Sequence, residues 1–201
     1  MPVSVYYKNL RTRILTLKKQ FLDFLPSDSS LPKNQYELRA FKLLVHAEIE
    51  SYIEYVVLEV WNKCNTAWTT KKKVIAPLEF LIMYTASRFE ANDQQLTKEN
   101  RITQILTSFK TLIASNNGIK KKNILQLVIP LGIDYLSIDE TWLTTIDSYG
   151  SSRGYVAHNS FSVHQQLDRN DELNNLDLVL KGIKKIDIKL QKMSTSRIRP
   201  F

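Results

Sequence analysis

Up to Gly118, the first glycine in the chain, apolar positions recur at steps of three and four and do not alternate as in a half-buried strand. A first helix is predicted from Ser4 to Leu25, with Leu10, Ile14, Leu17, Phe21 and Leu25 on one face, ending before Pro26; the Ser- and Asp-rich stretch Pro26 to Pro32 is a loop. A long second helix, from Asn34 to Asn65, carries Phe41, Val45, Ile49, Tyr52, Val56 and Val60 and is expected to be the central strut. Pro77 fits the first turn of a third helix reaching Phe89, and a fourth runs from Thr97 to Ser115, stopped by Asn116-Asn117-Gly118.

After the run Gly118 to Asn123, a short apolar helix is predicted over Ile124 to Ile129, closed by Pro130 and Gly132. Ser137 and Glu140 form a capping-box pattern that starts a helix through Trp142, Leu143 and Ile146, with Gly150 expected to kink or interrupt it. The last helix, Asp171 to Met193, places Leu173, Leu176, Leu180, Ile183, Ile186 and Leu190 on one face, before a basic tail over 194–201 that includes Arg197 and Arg199. The expectation is one all-α domain over residues 1–201, with no internal repeat and no second domain.

Charge adds a partner class to this picture. Lys+Arg 28 against Asp+Glu 20 gives a net charge of +8, and the isoelectric point is near 9.5, which favours an anionic partner such as nucleic acid or a membrane surface. Ordinary solubility charge accounts for the same balance equally well. Cys64 is the only cysteine, so there is neither an intrachain disulfide nor a thiolate cluster for zinc, in keeping with a reducing compartment. The first residues lack the pattern of a signal peptide, and no apolar run approaches the ~18 residues of a membrane span. The protein is expected to be soluble and cytoplasmic.

Candidate chemistry concentrates in Gly150-Ser151-Ser152-Arg153-Gly154-Tyr155-Val156-Ala157-His158-Asn159. An arginine that is always charged stands four intervening residues before a histidine that exchanges protons near neutrality, a combination suited to cleaving a phosphodiester. Spacing alone is weak evidence, because Arg39 and His46 make a second match with six intervening residues. On a helix that second pair lies on nearly one face, whereas Arg153 and His158 are about 140° apart and suit two walls of a cleft.

His46 is followed by Glu50 and Glu54 at steps of four, a polar ridge on an apolar helix. Either His46 and Glu50 satisfy each other without chemistry, or Glu50 or Glu54 positions Arg153. Lys120, Lys121 and Lys122 follow a glycine turn and would project together as a phosphate track, unless they are simply a solvated loop. Trp61, Trp68 and Trp142, with most of the tyrosines, fall at core spacings; Tyr155, inside the candidate segment, is placed to stack on a base. His158 and His164 have no third ligand at a metal-binding spacing. The chain lacks GxxxxGK[ST], GxGxxG and GxSxG, which leaves NTPase, dehydrogenase and hydrolase assignments unsupported. No cofactor or metal is expected.

The order of blocks is more telling than any one of them. His46-Ala47-Glu48-Ile49-Glu50-Ser51-Tyr52, Gly118 to Ile124, Leu131-Gly132-Ile133-Asp134 and Arg153-Gly154 to Ala157-His158 follow one another over Leu38 to Ser160. In this the chain resembles the HEPN superfamily, in its MAE-type and RiboL-PSP-type branches, whose nucleases carry an Arg-X4–6-His motif. The resemblance implies a bundle of six or seven helices, a two-fold homodimer with both motifs facing one cleft, and a metal-independent endoribonuclease of toxin–antitoxin or antiphage defence. Its partners would be RNA and a cognate antitoxin or other defence protein.

Only Arg153 and His158 carry over as catalytic residues. His46, Glu50, Glu54, Tyr155 and Asn159 stand around them as supporting positions. Gly154 occupies the place where many HEPN nucleases have Asn, Asp or His. In chemical terms, neutral His158 would take the proton of an RNA 2′-OH as it attacks phosphorus, and Arg153 would stabilise the charge that develops, giving 2′,3′-cyclic phosphate and 5′-OH ends. The alternative is a noncatalytic HEPN module that binds RNA, a nucleotide or a protein partner.

Overall fold

The structure, a computed structural model, describes residues 2–26, 31–86, 97–158 and 166–195, without the side chains of 86, 155–158, 194 and 195. Among the described residues there are seven α-helices and no strand: α1 Val5–Phe21, α2 Pro32–Lys71, α3 Ala76–Ala86, α4 Lys98–Ala114, α5 Lys121–Val128, α6 Glu140–His158 and α7 Arg169–Thr195. Two 3₁₀ turns, Ile129–Leu131 and Tyr135–Ser137, link α5 to α6. The predicted all-α class holds. The expected limit of the third helix at Phe89, and residues 196–201 of the basic tail, lie outside the described residues.

The long second helix is the central strut. At 40 residues α2 is about 60 Å long, and it packs against α1, α3, α4, α5, α6 and α7. Its buried positions wrap around it, from Leu38, Phe41 and Val45 through Ile53, Val57 and Trp61 to Trp68, as expected of a helix covered on several sides. It starts earlier than the periodicity predicts because Pro32 serves as a first-turn proline. It continues past Asn65 because Trp68 is still buried, and stops where Lys72 turns left-handed at φ 50°.

Other boundaries also shift for local reasons. Ser4 caps α1 by accepting from the Tyr7 N–H at 3.0 Å, while α1 stops at Phe21, so that Leu22 turns fully into the core. Thr97 caps α4 as expected. The Ser137/Glu140 capping box does not form. Asp139 caps α6 instead, accepting from the N–H groups of Thr141 and Trp142 at 2.9 and 3.2 Å, and the Glu140 carboxylate turns to Lys121 and the Tyr135 hydroxyl.

α6 and α7 cross where Gly182 lies against the Trp142 indole. A Cβ at Gly182 would fall 2.1 Å from the indole nitrogen, which itself donates to the Val179 carbonyl at 3.1 Å. Any side chain there would push the two helices apart. Trp61 is packed in the same manner, buried and donating to the Leu106 carbonyl at 2.8 Å. The expectation for the tyrosines needs correction: Tyr7, Tyr52 and Tyr149 are buried, but Tyr36, Tyr55, Tyr84 and Tyr135 are exposed. At their helical positions the ring reaches solvent as easily as core, and spacing alone does not choose.

Candidate functional site

The helix that carries the Arg/His segment is not broken at Gly150. α6 runs from Glu140 to His158 without interruption, and Gly150 is buried because α6 passes directly over the start of α5. A Cβ at Gly150 would meet the Lys120 backbone nitrogen and Cγ at 3.1 Å. Glycine here serves close approach, where a kink was expected. One turn further on, Arg153 is half-buried.

Arg153 lies beside His46 of α2. The imidazole is 2% exposed, and burial, then the Arg153 cation, then the Lys42 cation push its pKa down to about 4. His46 is therefore neutral at physiological pH, a consequence of desolvation and two neighbouring positive charges. Its Nδ1 stands 3.6 Å from Glu50 Oε2, too far for a hydrogen bond, and has no hydrogen-bond partner among the described residues. Mutual satisfaction of His46 and Glu50 is thus not what the structure holds.

Glu50 and Glu54 face the turn between α4 and α5. Glu50 Oε1 accepts from the Gly118 N–H, and Glu54 Oε1 accepts from the Asn116 amide at 2.8 Å. Asn116 in turn donates to the Gly118 carbonyl at 3.1 Å and accepts from Asn123 at 3.2 Å. Burial raises the Glu54 pKa, against the lowering effect of the Asn116 hydrogen bond, with the Glu50 charge adding to the rise. The two carboxylates therefore fix the loop that delivers Lys120 to Gly150, and the partners recorded for them are on that loop.

The three lysines do not leave a loop together. Lys120 precedes α5, whereas Lys121 and Lys122 form its first turn, so successive side chains diverge by about 100°. Lys121 is held by Glu140 and lies 5.8 Å from the centre of the Tyr135 ring, and its backbone N–H donates to Asp147 at 3.0 Å. Lys120 and Lys122 are exposed. His158 is the last residue of α6, and its side chain and that of Tyr155 are not described; Asn159 and His164 lie outside the described residues. Arg39, of the second Arg/His match, is buried in α2.

Beside this site lies a polar cavity that the apolar pattern did not announce. It has a volume of about 700 Å³ and is bounded by α2, α6 and α7. Lys42 and Glu172 form an ion pair in its wall, their side chains 3% and 7% exposed, and the Lys42 ammonium sits 5.4 Å from the centre of the Tyr149 ring. The Tyr149 hydroxyl and Glu172 Oε2 have no hydrogen-bond partner among the described residues. Burial, then the Glu172 charge, push the Tyr149 pKa up, so the phenol stays protonated. The signal available in sequence was Lys42 itself, a charge set one turn from Leu38 and His46 within the buried stripe of α2.

The family model RiboL-PSP-HEPN matches residues 8–192, a span that takes in every element above except the ends of α1 and α7. No curated protein and no solved structure matches the chain. No helix among the described residues is long and apolar enough to cross a membrane.

Proposed function

The chain belongs to the RiboL-PSP-HEPN family, within the HEPN superfamily, and on that premise we propose that it is a metal-independent endoribonuclease cleaving RNA by attack of the 2′-OH. HEPN domains are often RNases. The observation that carries the reading is Arg153 set against a neutral His46, on the same helix that ends at His158. A protonated His46 would compete for an anion and repel the guanidinium. Kept neutral, it leaves the Arg153 charge available for a nonbridging phosphate oxygen. His158 takes the 2′-OH proton, RNA provides the nucleophile, and no metal is required to generate one.

The protein acts as a homodimer, because one motif supplies one base and one cation while a two-fold interface doubles both. It serves as a toxin held by an antitoxin or another defence protein. Exposed Lys120 and Lys122 contribute salt-sensitive phosphate contacts. Gly154 favours a second reading, a noncatalytic module for RNA, a nucleotide or a protein. A Cβ there would meet nothing within 4 Å, so packing does not demand the glycine that replaces a polar residue.

The experiment is cleavage of RNA by the purified chain in EDTA, with the ends mapped. His158→Ala is expected to lower the rate by ~10²–10⁴-fold and Arg153→Ala by ~10²-fold or more. A 2′-deoxy nucleotide at the cut position should stop cleavage. Binding without cleavage, unchanged by His158→Ala, selects the noncatalytic module; a requirement for a divalent ion would reject the mechanism. Light scattering that finds an active monomer would reject the shared cleft.

A further inference from the structure

The cavity between α2, α6 and α7 begins where the proposed cleavage centre ends: Ser152 lines it, and Arg153 is the next residue. Lys42 ties the two together, since its charge and that of Arg153 both act on His46. The groups in the wall have a definite hydrogen-bonding character. Thr144, Thr145 and Ser152 donate their hydroxyl protons to the carbonyls of Glu140, Thr141 and Tyr149 at 3.1, 2.9 and 2.7 Å, so what they present to the cavity is acceptor lone pairs. Glu172 Oε2 is a further acceptor, buried and unpartnered among the described residues. The Lys42 charge is already neutralised by Glu172, which makes the cavity a poor place for a phosphate.

The ligand that fits is neutral, flat enough for a slot between helices, and rich in N–H donors. We propose that this cavity is a base-recognition subsite for guanine in the RNA substrate, with Glu172 and Lys42 reading its Watson–Crick edge. That edge presents O6, N1–H and N2–H in the order acceptor, donor, donor. An ammonium beside a carboxylate offers the complementary order of donor, acceptor, acceptor. Adenine and cytosine place an acceptor next to their amino group, and uracil places one donor between two acceptors, so each would set like against like at one position. The Tyr149 hydroxyl is a second donor for the purine. Burial of two unsatisfied polar atoms is costly in the empty protein, and a ligand that pairs both recovers that cost.

This assignment deepens the RNA-cleavage reading and rests on it for the identity of the ligand, but it is testable apart from it. The purified chain would be titrated calorimetrically with the four nucleoside 5′-monophosphates, which share the phosphate and differ in the base. GMP is expected to bind at least about tenfold more tightly than AMP, CMP or UMP. Equal affinity for all four, or no binding of GMP at millimolar concentration, overturns the proposal even if RNA is cut. Selective binding of GMP without any cleavage of RNA upholds the subsite and rejects the nuclease.

Because Glu172→Gln disturbs a buried ion pair and risks the fold, Tyr149→Phe is the companion variant. Its hydroxyl has no protein partner to lose, so the variant is expected to melt no lower than wild type while binding GMP several-fold more weakly. If both variants fold and bind GMP like wild type, the cavity is not the base site. Where wild type cleaves, cuts should cluster beside guanines, and Tyr149→Phe should blunt that preference without changing the kind of ends produced; cleavage indifferent to base in wild type counts against the subsite.

Discussion

Two carboxylates on α7, fifteen residues apart, are both buried and are treated in opposite ways. Asp187 is fully buried and accepts from the Ser4 N–H at 2.8 Å, the Ser4 hydroxyl at 2.5 Å, the Tyr52 hydroxyl at 2.7 Å and the Gln191 amide at 2.9 Å. Glu172 is 5% exposed, pairs through one oxygen with Lys42, and has no partner on the other among the described residues. The first arrangement joins α1, α2 and α7 with its donors in place, and burial followed by the Asp187 charge raises the Tyr52 pKa and keeps it a donor. The second opens on a cavity. Completed polar burial specifies how helices meet, whereas incomplete polar burial beside empty volume points to something that binds.

The sharpest way to break the contrast is at Asp187. Asp187→Ala strands three buried donors at once, at about 1–3 kcal/mol each; the expected loss is on the order of 5 kcal/mol, or roughly 10–20 °C in Tm, read by thermal denaturation. A loss as small as that of a surface substitution would mean the network is not structural. At the other site, Lys42→Met leaves Glu172 charged and buried and should cost about 3–5 kcal/mol. The double variant Lys42→Met/Glu172→Leu should recover most of that in chemical denaturation, because removing both charges also removes the need to bury them. No such rescue is available at Asp187, whose donors would remain.

His46 provides a pH-dependent test of the same region. Its folded pKa of about 4 lies below the ordinary 6.5, so between those values the unfolded chain binds the proton and the folded chain does not. Stability from this group is therefore present above pH 6.5 and is lost as pH falls to 4, by up to about 3 kcal/mol. Glu54, with a raised pKa, acts in the opposite direction, so the measurement is the difference between wild type and His46→Asn across that window. A difference that does not vary with pH would show that His46 is not held neutral. The smallest effect is Tyr149→Phe, expected within about 0.5 kcal/mol of wild type or slightly above it, since its hydroxyl gives up no protein partner.

The helices and the site were legible in the sequence to different depths. Apolar steps of three and four located every helix, and the strut role of α2 was readable from its length. Caps were harder: Asp139 displaced Ser137 because its carboxylate reaches two backbone donors, and Glu140 had a nearby ammonium to pair with. Gly150 read as a break because a glycine's own propensity is visible in sequence, while the Lys120 backbone that requires it is brought there by the fold. Periodicity placed Arg153, but not the fact that it faces His46 across two helices. Lys42, Glu172 and Asp187 escaped because a charged residue between apolar ones normally marks the solvent side of a helix. Only the third dimension shows that α2 and α7 lack a solvent side there.

The Ser4–Asp187 clasp also has a bearing on time. Its two ends are 183 residues apart, and at translation speeds of about 5–20 residues per second the second end follows the first by roughly 10–40 s. During that interval α1 has left the ribosome with its cap residue lacking the carboxylate it will bind, and Tyr52 on α2 waits for the same group. The oldest part of the nascent chain is thus among the last to reach its final contacts, and the full α1–α2–α7 junction closes only when nearly all of the polypeptide has been made.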